Sequence, residues 1–220
     1  MLEEAKLIQI KKELVEFAAL IESMVDKSIS GLKDRRAELL KEVIQIEEPK
    51  ANDFEIDLDE KCVNIIAQHQ PAGKSLRTIL MVLHINNALE RIGDHAVTIA
   101  ESGLFLIEKP PMKPLLDIPR MGEVVECMIK DSIDSFINEA SDPALRVCER
   151  DNVVDSLRNQ ILRELITFMI SDPTTIERAL QLMKISSNLE RIADLTTNIC
   201  EDVIYMVNGQ VIKHHKDVVV

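Results

Sequence analysis

The 220-residue chain has no tryptophan, one tyrosine and five phenylalanines. Sandwiches and barrels draw on aromatic and β-branched strands, so this scarcity favours helices packed through Leu, Ile, Val, Ala and Met. Six glycines are few for a protein of many tight turns. The four cysteines, Cys62, Cys127, Cys148 and Cys200, form no CxxC, and no histidine stands at zinc-finger spacing. They read as thiols filling core positions of a reduced cytosolic protein. The longest apolar run near the middle, Ile79 to Leu83, falls far short of the roughly 20 residues a membrane span needs. The start, MLEEAKLIQIKKELVEF, puts acids first and has no uninterrupted apolar core of signal-peptide type. A soluble, cytoplasmic protein is expected, one that meets membranes only through a partner. Basic charge is also short: the formal net charge is -12. Such a chain repels phosphate backbones, so nucleic acid is not an expected partner, whereas metal cations and basic protein surfaces are.

What is present is helical periodicity, with 46% hydrophobic residues to supply a core. It is interrupted at EKPPMKPLLDIPR, residues 108–120, which holds Pro110, Pro111, Pro114 and Pro119. Proline lacks the N–H of a helix interior and disfavours helix in the residue before it, so a stiff, extended connector is expected at the midpoint. The halves on either side read alike. LERIGD (89–94) returns as LERIAD (189–194), and MVDKSIS (24–30) echoes MIKDSID (128–134). IEEPKAND (46–53) matches the place of CERDNVVD (148–155), and HQP (69–71) that of SDP (171–173). The offset drifts from 104 to 100 along the chain, as small loop deletions in a duplicated unit produce. Each half gives three helices, expected near 3–30, 34–69 and 74–107, then 120–140, 143–170 and 173–208. Asp142-Pro143 and Asp172-Pro173 suit helix starts, Asn208-Gly209 suits a stop, and Pro49 should kink or interrupt the second helix. The expected fold class is all-α: two tandem repeats of an antiparallel three-helix bundle, six long helices in all. The expected division is a first repeat at 1–109, a linker at 110–119, a second repeat at 120–210 and a tail at 211–220.

The repeated acids have a defined direction. With Glu90 at 0° and about 100° per residue, Asp94 falls near 40° and Glu101 near 20°, opposite Ile85, Leu89, Ile92 and Ile99. Glu190, Asp194 and Glu201 stand in the same relation to Ile185, Leu189, Ile192 and Ile199. The carboxylates should therefore line the outer face of each bundle. Two readings are open: a solvated acidic face balanced by Arg91 and Arg191, or a metal site. Acids at i and i+4 repel, and a cation would relieve them. The preceding helix offers partners, Asp151 with Asp155, and in the first half Glu48 with Asn52, with Asp53 and Glu55 nearby. Convergent carboxylates without thiols suit Mg, Mn or Fe, and Zn less comfortably. A buried di-iron enzyme would place Glu-x-x-His on two helices, but Gly93 and Ala193 stand where the histidines belong, and His95 has Leu195 as its counterpart. No Ser-His-Asp grouping, P-loop or GxGxxG occurs, so no catalytic device is evident and no enzyme is expected.

NNALERIGDHAVTIAE and SSNLERIADLTTNICEDVIYMVNGQ resemble the two signature helices of the PhoU family, regulators of bacterial phosphate uptake. The likeness continues through HQPAGKSLR, PPMKPLLDIP and CERDNVVDSL and covers nearly the whole chain. It implies two similar three-helix bundles and a homodimer. It also implies an adaptor between the ATPase subunit of the phosphate ABC transporter and the sensor histidine kinase of the phosphate regulon. Such an adaptor restrains uptake and keeps the regulon off when phosphate is plentiful. The resemblance further implies multinuclear iron or other metal clusters on the bundle surface, held by E(D)xxxD motifs. Carried over by position, these are Glu90 with Asp94, Glu190 with Asp194, Asp151 with Asp155, and Glu48 with Asn52. In the last pair Asn52 replaces an acid and Pro49 lies inside the motif, so that site should be weaker or recruit Asp53 or Glu55. The family's frequent Asp before Leu-Arg is Ser75 here, and no role is assigned to it. The rival readings are a carboxylate-bridged metalloenzyme and a metal-free helical scaffold.

Overall fold

The computed structural model describes residues 2–208. Six long helices account for nearly all of them: α1 (Leu2–Lys33), a second helix in two parts, α2 (Ala37–Glu42) and α3 (Glu48–His69), then α4 (Lys74–Ile107), α5 (Asp117–Ile137), α6 (Ser141–Ser171) and α7 (Ile176–Asn208). No strand is found among the described residues. The expected all-α class and twice-repeated bundle are what the structure shows.

Pro49 interrupts the α-helical pattern of the second helix, as expected, while the chain stays helical. A π-helical turn, Val43–Glu47, joins α2 to α3, and the N–H of Glu48 reaches back five residues to the carbonyl of Val43. This wider turn is the setting for a residue with no N–H to offer Gln45 and a ring that would crowd that carbonyl. Glu47 is thereby turned inward, only 5% exposed. There it accepts from Lys27 Nζ at 2.6 Å and Ser23 Oγ at 3.1 Å. The second repeat has no such turn, since α6 is α-helical from Ser141 to Ser171.

The first helix of each repeat ends in the same way, with an N–H reaching back five residues. Arg36 N–H bonds Gly31 O at 2.8 Å, and Ala140 N–H bonds Ser135 O at 3.0 Å. The residue before each sits in the left-handed region, Arg35 at φ 56° and Glu139 at φ 48°. Glycine is the usual occupant of that position. Here each side chain has a task. Arg35 donates to the carbonyls of Ile107 and Lys109 at the start of the linker. Glu139 accepts from Lys11 at 3.2 Å and Lys74 at 2.7 Å, tying the second repeat to α1 and α4 of the first.

Several helix boundaries differ from expectation for local reasons. The Arg35 turn delays α2 to Ala37. α5 begins at Asp117, and Pro119 lies buried in its first turn, where an N–H is not required. α6 begins at Ser141, so Asp142 lies inside the helix and does not cap it. Asp172 does cap: its side chain accepts from Thr174 N–H at 3.0 Å, over a short 3₁₀ turn, Pro173–Thr175. Gly209, the expected stop, lies outside the described residues. The proline linker is pinned as well as stiff: Arg178 donates to Pro110 O at 2.9 Å, and Lys113 pairs with Glu164.

The two repeats share one interior. α4 packs along α7, α1 meets α5, and buried residues from every long helix form a single cluster. The inner stripes Ile85, Leu89, Ile92 and Ile185, Leu189, Ile192 are fully buried. Each such side chain contributes about 1.5–3 kcal/mol. Close approach is supplied at Gly122 of α5, where a Cβ would stand 3.0 Å from Ile29 Cγ1 of α1. Gly122→Leu should therefore overpack the α1–α5 contact and lower stability by about 1–3 kcal/mol. A urea midpoint unchanged from the parent would contradict this packing.

Candidate functional site

The helical wheel read from sequence holds. Asp94, Asp155 and Asp194 are exposed, Glu48, Glu90, Asp151 and Glu190 are half-buried, and Asn52 is exposed. All eight positions lie at the surface, on α3, α4, α6 and α7.

In the first repeat the carboxylates of α3 and α4 act on one another. The Glu48 carboxyl is raised above the usual range by burial, then by the charges of Asp94 and Glu101 across the helix pair. Glu90 is raised by burial, then by Asp94 on its own helix and Glu55 on α3, with Arg91 opposing. Glu55 is itself raised by burial and by Asp59. So Glu55 faces Glu90, while Asp53 is simply exposed. Their register is set by Asn86, fully buried on α4, whose Nδ2 donates to the Glu55 carbonyl at 2.8 Å and to Asp59 Oδ1 at 2.9 Å. Sequence reasoning passed over Asn86. Its signal was a polar residue on the inward stripe, beside Ile85 and Leu89.

The second repeat repeats the arrangement on α6 and α7. Glu190 is raised by burial and by the charges of Asp194 and Asp155, with Arg158 opposing from 3.9 Å. Asp194 is raised by burial and by Asp155. Asp155 thus faces both acids of the ERIAD segment, whereas Asn52, its first-repeat counterpart, brings no charge. His95 turns to the other repeat: its Nδ1 lies 2.8 Å from Asn188 Oδ1 of α7, and burial lowers its proton affinity.

A further set of acids, not singled out in the sequence, lies between α1 and α5. Glu126 is pushed up to about 7 by burial, then by Asp26, Glu123 and Glu22.

Among the described residues, no three His, Cys, Asp or Glu side chains are arranged to hold a metal ion. The donor set nonetheless fits hard cations by its chemistry. It is oxygen-only, and in Glu90, Glu190 and Asp194 the proton affinity is raised by burial and then by like charges that a cation would neutralise. With no cation bound, that repulsion opposes folding.

The fold and its two acidic faces define a class: a duplicated three-helix bundle with paired carboxylates projecting from adjacent helices. The PhoU domain model matches the chain twice, at residues 14–103 and 118–203. The phosphate-specific transport system accessory protein PhoU homolog of Aquifex aeolicus is 37% identical over 209 residues, 95% of this chain and 94% of that protein. PhoU homolog 2 of Thermotoga maritima is 35% identical over 96% of this chain and 90% of its own length. The crystal structure of PhoU from Pseudomonas aeruginosa superposes with a TM-score of 0.90 at 34% identity, covering 94% of this chain and 99% of that one. A PhoU structure from Streptococcus pneumoniae, 22% identical with a TM-score of 0.86, shares the fold. The chain belongs to the PhoU family.

Two outcomes follow from the charges. Glu190→Gln combined with Asp194→Asn should raise the melting temperature in chelator-treated buffer near pH 8, and should weaken Mn²⁺ or Fe²⁺ binding by calorimetry. A lower melting temperature would mean that the carboxylates are held by favourable partners. Glu126, raised in the folded state, binds its proton more tightly there than in the unfolded chain. Stability is then lost as pH rises from about 4.5 through about 7. Glu126→Gln should recover on the order of 1–2 kcal/mol at pH 8, after allowance for solvent screening, and little at pH 4. Equal urea midpoints for parent and variant at both pH values would refute this.

Proposed function

We propose that this protein is a non-enzymatic accessory regulator of phosphate uptake. It acts as an adaptor between the ATPase subunit of the phosphate ABC transporter and the sensor histidine kinase of the phosphate regulon. Docked through its acidic faces, it biases both toward the off state when phosphate is plentiful. The observation that carries this reading is the duplicated pair of acidic helix faces on a chain matched end to end by relatives named as phosphate transport accessory proteins. Charges at an interface rim act mainly on encounter rate and specificity, which suits a partner choice between two proteins.

The protein works in the cytoplasm as a homodimer. It reaches the membrane through the transporter, and no helix among the described residues is long and apolar enough to cross a membrane. Multinuclear iron, or Zn, Mn or Mg, when bound, would be held in the second repeat by Asp151, Asp155, Glu190 and Asp194. In the first repeat it would be held by Glu48, Glu90 and Asp94, with Asn52 supplying at most an amide oxygen. The bound cation would neutralise the acidic face and so change which partner surface it attracts. Glu55, which faces Glu90, is placed to make good the charge missing at Asn52.

The test is a deletion strain carrying a phosphate-regulon reporter. The reporter should rise to starvation levels in high phosphate and return to repression with the parent gene, but not with Glu190→Lys plus Asp194→Lys. The parent should also retain the transporter ATPase and the kinase in a pull-down that weakens as salt is raised. A reporter that stays phosphate-repressed after deletion overturns the adaptor reading. Substrate turnover by the metal-loaded protein would favour a metalloenzyme in its place.

A further inference from the structure

Cys148 and Cys200 are far apart in sequence and meet in the fold. Cys148 lies on α6, one turn before Asp151, and is partly exposed. Cys200 lies on α7, beside Glu201, and is fully buried. The helices pack along their length, and Cys148 Sγ sits 4.0 Å from the carbonyl of Thr197, in the turn of α7 that carries Cys200. Each thiol acts on the other's proton affinity, Cys148's downward and Cys200's upward, and both are free. The first repeat has no equivalent, since Ala100 stands where Cys200 does.

We propose that Cys148 and Cys200 form a peroxide-driven disulfide that clamps α6 to α7 beneath the acidic face of the second repeat. The two thiols divide the chemistry between them. Cys148 is the one a small oxidant can reach, and the adjacent Cys200 S–H can donate to its thiolate, which lowers its proton affinity against the burial that opposes it. Cys200, raised strongly by its neighbour and by burial, stays protonated and waits as the resolving thiol. In the first step the Cys148 thiolate attacks hydrogen peroxide. An S–O bond forms, the O–O bond breaks, and the departing hydroxide takes a proton to become water. In the second step Cys200 sulfur attacks the Cys148 sulfenic acid. An S–S bond forms, the S–O bond breaks, and the hydroxide released takes the Cys200 proton as a second water. Two thiols are oxidised and one peroxide is reduced to two waters. Close approach of the two helices is the geometric requirement that sequence-distant cysteines rarely meet, and here Cys148 lies against the Thr197–Cys200 turn. The other two cysteines are placed differently. Cys127 is exposed on α5, and the buried thiol of Cys62 on α3 is pushed up to about 12.

The bond would fix the spacing between α6 and α7 one turn from Asp151 and next to Glu201. It would thus tie the redox state of the second repeat to the geometry of its carboxylates.

The experiment uses the full-length protein, reduced and then titrated with hydrogen peroxide, with free thiols trapped by alkylation and peptides mapped without reduction. The expected result is one cross-linked pair joining Cys148 to Cys200, lighter by two hydrogen atoms, reversed by dithiothreitol. It should be accompanied by a melting temperature higher by roughly 5 °C. Cys200→Ser should leave Cys148 as a dimedone-reactive sulfenic acid. Cys200→Ala, smaller and apolar, gives the same test if the serine perturbs the core. In either variant the alkylation of Cys148 near neutral pH should slow severalfold, because its thiolate has lost a donor. The proposal is overturned if wild-type Cys148 proceeds to the sulfinic acid while Cys200 remains a free thiol. It is equally overturned if Cys127 consumes the peroxide first, giving cross-linked dimers, or if Cys148 alkylates at the same rate without Cys200.

Discussion

The structure depends on one contact, the packing of α4 along α7. Each is a helix of more than thirty residues, and each presents Ile, Leu and Ala to the interior at helical spacing. Because both stripes are fully buried, the two repeats cannot rotate against each other without exposing them. That constraint fixes the opposite faces too. With Ile92 and Ile192 inward, Glu90, Asp94, Glu190 and Asp194 have no direction but outward. Their partners on α3 and α6 are then set by how the outer helices lie on the inner pair, which for α3 is decided by the buried amide of Asn86.

A price is attached to this geometry, and its sign follows from the proton affinities. Every shifted carboxylate among the site acids moves upward: Glu48, Glu90, Glu190 and Asp194, with Glu55 beside them. Groups shifted this way destabilise the ionised fold. Elsewhere in the molecule carboxylates are held below their usual range by their partners, as Glu139 is by Lys74 and Lys11, and Glu13, against its burial, by Gln9 and Lys61. The chain has basic residues to spend on its acids and spends few of them on these faces. Arg158, 3.9 Å from Glu190, is one such concession. A face kept under repulsion is a face prepared for an external positive charge, whether a cation or a basic protein surface.

Much of this was legible in the residues alone, and the parts that were not share a cause. Duplication, helix count and the outward direction of the acids follow from spacing along one chain segment, which fixes angles around one helix axis. Pro49 could be read as a disturbance, but not as a π turn, because the helix continues only when Glu48 N–H finds Val43 across the wider ring. The left-handed turns at Arg35 and Glu139 carried no glycine to mark them. They persist because each side chain is held by groups brought from distant sequence. The meeting of Glu55 with Glu90, and of Cys148 with Cys200, depends on the register between helices, about which local periodicity says nothing.

The two repeats have diverged where their shared plan allows it. The first spends its special residues on the outer helix. Pro49 and the π turn bring Glu47 inward to Lys27 and Ser23, while Asn52 removes a charge from the surface. The second keeps a regular outer helix, a full set of four motif acids, and a thiol pair beneath them. A duplicated fold makes such divergence cheap in structural terms, because the shared interior of α4 and α7 holds both halves whatever their outer helices do. The consequence is that the two acidic faces, alike in outline, differ in charge. A cation or basic partner meets four motif acids in the second repeat, with Arg158 already set against Glu190, and in the first repeat three, with Glu55 facing Glu90 in place of the charge that Asn52 lacks.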